Sequence, residues 1–153
     1  MRFWSAAYSL CISVWVGGLL AVGYLAAPIL FARLADRALA GSLAGHMFAA
    51  IAWVGIVCGS YLLIFVLATK GWRAVKSSLF WIVLLMLVLT MAGHFGVQPI
   101  LAQLKADALP RQVMESAMRD RFATWHGVSS VLYLVQSLCG IALVLLQDRG
   151  RGR

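Results

Sequence analysis

The stretch Ser77 to Leu104, S-S-L-F-W-I-V-L-L-M-L-V-L-T-M-A-G-H-F-G-V-Q-P-I-L-A-Q-L, runs from Lys76 to Lys105 without a charged residue. A helix crossing the ~30 Å hydrocarbon core of a bilayer needs about 20 predominantly apolar residues. The stretch is long enough, and it reads as a transmembrane helix. Three further gaps lack Asp, Glu, Lys and Arg: Arg2 to Arg33, Arg37 to Lys70, and Arg121 to Asp148. Four spans are therefore expected, over about 4–31, 43–69, 77–104 and 122–147. The fold class is all-α, an integral membrane four-helix bundle forming a single membrane domain.

Composition agrees with that reading. The chain is 63% hydrophobic and 12% charged, which puts it in the membrane class before any motif is considered. The net charge of +8 does not point to nucleic acid, because the basic residues flank the spans, where they anchor helices at lipid headgroups. The opening apolar run is longer than the ~7–15 residues of a signal-peptide core, and it is read as a retained helix. Cys11, Cys58 and Cys139 all lie inside spans without paired spacing, so no disulfide framework is inferred.

The first span carries Gly17, Gly18, Ala21 and Gly23, small residues that allow close helix approach, and Pro28 near its end. In the second, Gly55 and Gly59 form a G-x-x-x-G that suits packing within the chain as well as a dimer face. A homo-oligomer or a membrane-protein partner is compatible with it. Before the last span, Pro110 suits the first position of a helix. Val113, Met114, Ala117, Met118 and Phe122 then oppose Arg111, Glu115 and Arg119, which predicts a short amphipathic helix over about 110–121. Of the tryptophans, Trp4, Trp72 and Trp81 fall toward one interface and Trp53 and Trp125 toward the other, while Trp15 is deeper and expected to pack on a neighbouring helix.

Orientation rests on the loops. Arg2, the group Lys70, Arg73 and Lys76, and the tail arginines Arg149, Arg151 and Arg153 share one side; six basic residues lie on the other. The count is nearly even, and the compact clusters next to the spans favour cytoplasmic termini.

The two halves echo each other. P-I-L-F-A-R-L-A-D at Pro28 to Asp36 parallels P-I-L-A-Q-L-K-A-D at Pro99 to Asp107. His46 also precedes Cys58-Gly59 at nearly the interval by which His126 precedes Cys139-Gly140. Two repeated helical hairpins would produce this pattern, and so would chance in low-complexity apolar sequence.

The polar residues inside the spans carry the functional question. Thr90, His94 and Gln98 recur every four residues on one helix face, and His126, Ser130 and Tyr133 form a second row in the fourth span. Polar groups are costly in lipid and turn toward partners or a cavity. His46 opens the second span, and all three histidines fall toward the extracytoplasmic face. Three imidazoles at one depth suit a metal ion such as zinc or copper, with Met91 as a further soft ligand. His94 and His126 on facing helices also suit axial ligation of haem. The plainer reading is a polar cluster that only fixes helix packing. No paired acid and base, and no metal-ligand spacing, points to catalysis, so a non-enzymatic protein is favoured. Ligand handling and pure packing weigh about equally, with haem third.

A family resemblance adds to this. W-V-G-G-L at Trp15 to Leu19, A-P-I-L-F at Ala27 to Phe31, A-G-H-F-G-V-Q-P at Ala92 to Pro99 and H-G-V-S-S-V-L-Y-L at His126 to Leu134 resemble a bacterial four-helix membrane domain of unknown function. That domain is similar to eukaryotic transmembrane protein 205, and the first motif is more faintly similar to the copper-resistance D membrane domain. The resemblance implies a four-helix fold and a bacterial inner-membrane location. It offers no catalytic residue to carry over; His94 and His126 match its pattern, and His46 is less typical.

Overall fold

The computed structural model describes residues 2–108 and 116–149, and every described element is helical. Four helical rods are long and apolar enough to cross a membrane: Ala6–Arg33, Arg37–Lys76, Ser78–Leu104 and Asp120–Gln147. Only 22–28% of the most apolar window of each rod is buried inside the protein. Large side chains such as Val57, Ile64 and Leu145 point outward at 66% exposure each. A water-soluble bundle would bury such a stripe; here lipid is the solvent for it.

The first rod consists of α1 (Arg2–Ala21), a π-helical turn (Val22–Ala26) and α2 (Ala27–Arg33). The second is the unbroken α3 (Arg37–Lys70) followed by a 3-10 turn (Gly71–Lys76). The third repeats the first: α4 (Ser78–Met91), a π turn (Ala92–Val97) and α5 (Gln98–Ala108). The fourth is α6 (Ser116–Arg149). The expected amphipathic helix at 110–121 falls partly on residues 109–115, which lie outside the described residues; from Ser116 onward the chain is continuous with the last span.

Local chemistry sets the ends. Asp36 caps α3, its Oδ1 accepting from the Ala38 and Leu39 amides at 2.8 and 3.1 Å. This starts the helix at Arg37 and puts His46 more than two turns inside it. Gly71, with φ +54°, ends α3 in a conformation that only glycine adopts cheaply. Ser77 caps α4 by accepting from the Phe80 amide, and Trp81 Nε1 donates to the Val75 carbonyl at 2.8 Å, tying the turn down. Trp72, 91% exposed beside Lys70, Arg73 and Lys76, is placed as an interfacial anchor would be.

Both π turns immediately precede a proline. Pro28 and Pro99 are the second residues of α2 and α5 and have no amide to donate. The residue before each takes up an i→i−5 bond, Ala27 to the Val22 carbonyl and Gln98 to the Gly93 carbonyl. The widened turn relieves the clash that a proline ring makes with the carbonyl four residues back.

Packing follows chain order. α3 lies against α1 and α4, and α6 closes the ring against α1 and α4. The core centres on Ile12, Trp15, Val16, Leu62, Met86 and Leu143. Trp15 is fully buried, and its indole lies on the groove made by Gly55 and Gly59. The G-x-x-x-G thus receives a side chain of the same molecule. Beyond the first π turn, α2 rests on α3 and has no comparable packing with α6.

Candidate functional site

A cavity of about 450 Å³ opens between the rods at the end where both π turns lie. Its walls come from the first rod (Leu19, Gly23, Tyr24, Ala27, Pro28, Phe31), α3 (Phe48, Ile51, Ala52), the third rod (Leu89, Thr90, Gly93, His94, Gln98) and α6 (His126, Ser129, Ser130, Leu132, Tyr133, Leu134, Gln136). The two polar rows expected from sequence, Thr90-His94-Gln98 and His126-Ser130-Tyr133, line this one space. No Asp, Glu, Lys or Arg is among the described residues that line it.

Two candidates lie elsewhere. Met91 is 46% exposed on the outer surface of the third rod. His46 is exposed and does not line the cavity. Of the three imidazoles weighed as metal ligands, two, His94 and His126, line this cavity. Among the described residues, no three His, Cys, Asp or Glu side chains come together in a group able to hold a metal ion.

The deep end of the cavity is closed by hydrogen bonds. Gln136 Nε2 donates to Thr90 Oγ1 at 2.6 Å, and Thr90 donates to the Met86 carbonyl of its own helix at 2.8 Å. Both residues are buried, Thr90 at 4% and Gln136 at 7% exposure. The Tyr133 hydroxyl donates to the Leu19 carbonyl. The bond meets the first rod just before its π turn. Gly23 makes room for Tyr133: a Cβ there would lie 2.8 Å from Tyr133 Cζ and 2.9 Å from its oxygen. Phe48 meets the Tyr133 ring edge-on at 5.2 Å and holds it in place.

The outer end is different. His94 sits in the middle of the second π turn, between Trp53 (ring centroids 5.4 Å apart) and Phe95 (4.8 Å). Its Nδ1 is buried and has no hydrogen-bond partner. Ser130 donates to the His126 carbonyl at 2.9 Å, which leaves its oxygen free only to accept. The His126 ring stacks on Phe122 at 6.0 Å and 10°. Polar groups in a membrane are normally satisfied, so an unpartnered imidazole nitrogen on a residue that lines a cavity makes that residue a candidate for holding a ligand atom.

Gln136 was not among the expected site residues. The signal was present, since an amide inside an apolar run is rare and lies three residues beyond Tyr133 on the same face. Gly23 could not be singled out among the other glycines of its span before the position of Tyr133 was known.

The family model of a domain of unknown function, DUF4149, matches residues 10–108. The chain belongs to that family. The DUF4149 match covers the first three rods and with them Thr90, His94 and Gln98; the motif beginning at His126 and the rest of α6 lie beyond it. No curated protein and no solved structure matches this DUF4149 chain.

Proposed function

We propose that this multi-pass membrane protein binds a small molecule in the cavity at the π turns, and that it acts as a ligand-handling module rather than an enzyme. One observation carries the reading: His94, whose Nδ1 is buried and unpartnered among the described residues, lines a cavity of about 450 Å³. That volume lies within the ~300–1,000 Å³ common for small-ligand sites. Gln98 and His126 line the same space, and Thr90, Gln136 and Tyr133 form its floor. The bacterial inner membrane and cytoplasmic termini belong to this proposal. They are supported by the exposed Lys70, Arg73 and Lys76 around Trp72, and they put the cavity in the outer leaflet. The likeness to transmembrane protein 205 and to copper-resistance D is read as a likeness of fold.

The test is native mass spectrometry of the protein released from mild detergent, with an absorption spectrum and elemental analysis of the same sample. Wild type should carry a bound organic mass that His94→Phe loses. A Soret band would replace this reading by haem ligated through His94 and His126, and stoichiometric metal would replace it by an ion site. Identical spectra for wild type and His94→Phe would leave packing as the only role of the polar rows.

The packing reading has its own observation. Gln136 with Thr90, and Tyr133 with Leu19, are paired within the protein. Those groups hold the bundle together and need no ligand.

A further inference from the structure

We infer, building on the binding reading above, that the ligand is an uncharged lipid with carbonyl oxygens in its head and that it enters sideways from the bilayer between α2 and α6. The absence of charge comes first. No ionised side chain lines the cavity among the described residues, and a phosphate or ammonium head would be desolvated without a counter-charge. The carbonyl follows from which groups are already used. The Leu19 carbonyl is occupied by Tyr133, Thr90 by Gln136, and the Ser130 hydroxyl hydrogen by the His126 carbonyl. What remains is Gln98, with its amide hydrogens, the Tyr24 and Ser129 hydroxyls, and two imidazoles, each of which always carries at least one N–H, so that donors outnumber the one hydroxyl oxygen, that of Ser130, left only to accept. Those donors ask for acceptors.

The sideways entry follows from packing and depth. α2 packs on α3 and has no comparable packing with α6, which leaves room for an opening between them. Tyr24, Phe31 and Leu134 line the cavity yet are 49%, 41% and 51% exposed, so each faces both the cavity and the lipid. Leu134 lies near the middle of the Asp120–Gln147 span. Tyr24 is nine residues short of Arg33, or about 13 Å at ~1.5 Å per residue. The opening is thus level with acyl chains, below the headgroups. A head resting against His94 and Gln98 would let an alkyl tail leave past Tyr24 and Leu134 into the membrane.

Two kinds of membrane molecule share this chemistry: isoprenoid quinones and diacylglycerols. The experiment separates them. Full-length protein is reconstituted in phosphatidylcholine nanodiscs doped with a polyprenyl benzoquinone, a diacylglycerol or a phosphatidylglycerol, each with a diazirine in its tail. After illumination, labelled peptides are mapped. One uncharged probe should label α2 and the Tyr133 region of α6 saturably and be displaced by its unlabelled form. His94→Phe combined with Gln98→Leu should weaken that labelling about tenfold, as the loss of membrane hydrogen bonds of ordinary strength implies. Val57→Phe, on the outer surface, should leave it unchanged. Saturation by the quinone alone or by the diacylglycerol alone names the source. Equal, displaceable labelling by phosphatidylglycerol would overturn the requirement for an uncharged head. Unsaturable labelling spread around the bundle would overturn lipid entry. If native mass spectrometry still finds a His94-dependent ligand in that last case, the binding reading stands and only the lipid inference falls.

Discussion

Gly59→Ala tests the packing that fixes the first two rods. A methyl at residue 59 would lie 2.9 Å from Trp15 Cη2, 3.1 Å from Cζ3 and 3.2 Å from Leu87 Cδ1. Carbon pairs rest at about 3.5–4.0 Å, so the indole must withdraw by several tenths of an ångström. It has nowhere to go, being 0% exposed. Overpacking of this kind costs about 1–3 kcal/mol. Gly55→Ala should behave alike, since its methyl would sit 3.0 Å from Trp15 Cε2. Removing the ring instead, by Trp15→Ala, should cost about 3–5 kcal/mol on the scale of buried aromatic truncations. The low end applies here, because lipid tails are as apolar as the core and only the lost contacts count. The deciding variant is the double one. With Trp15 gone, the new methyl of Gly59→Ala faces a void, so it should cost nothing or recover part of the loss. The assay is reversible unfolding in dodecylmaltoside micelles titrated with SDS, followed by the remaining tryptophans. If Gly59→Ala costs the same with and without Trp15, the groove does not serve the indole. A loss of dimer in the same variant would make the G-x-x-x-G an intermolecular face.

Tyr133→Phe removes the hydroxyl that donates to the Leu19 carbonyl, and should cost about 0.6–1.7 kcal/mol in the same assay. Gly23→Ala should cost more, because a methyl there displaces the whole Tyr133 ring. At the buried pair the two ends should differ. Gln136→Leu leaves Thr90 bonded to the Met86 carbonyl and should cost no more than about 1 kcal/mol, while Thr90→Val strands the Gln136 amide and should cost about 1–3 kcal/mol. Cys11 of α1 and Cys58 of α3 are neighbours in the packed core, so a membrane-permeant oxidant should join them and leave Cys139 free, as peptide mapping would show. A Cys58–Cys139 product, or none, would contradict the packing of α1 on α3.

The four rods were legible because a charge-free run longer than a bilayer leaves the backbone almost no choice but helix. Their ends were less legible. The second span was expected from about residue 43 and starts at Arg37, because the Asp36 side chain captures two amides and extends the helix through polar sequence that hydropathy alone assigns to a loop. The two polar rows could be read as facing rows because four-residue spacing keeps them on one side of each helix. Their division into paired and unpaired ends could not be read, since Gln136 meets Thr90 across 46 positions of sequence. The π turns were half visible: Pro28 and Pro99 announced a break, and the echo between the halves placed the two breaks alike, but nothing local says whether a proline yields a kink, a stop or a widened turn.

Those turns explain why packing and binding are not competing accounts of the same residues. A helix interrupted in lipid leaves backbone groups that only protein, or a cavity, can satisfy. In the first rod the repair is internal: Tyr133 reaches across from α6, and Gly23 clears its path. In the third rod the turn carries His94, whose Nδ1 has no such repair. The polar groups facing the cavity therefore divide by depth. Gln136, Thr90 and Tyr133 answer one another or the backbone, so their variants should change unfolding and spare any bound molecule that tolerates a slightly looser floor. His94, Gln98 and His126 have no side-chain hydrogen-bond partner among the described residues, so their replacement by apolar residues of like size should leave unfolding unchanged, or even raise stability, while emptying the cavity. Opposite signs for the two groups, measured on the same preparations, are what a bundle built around a ligand requires; a bundle held together by all its polar residues would lose stability with each of them.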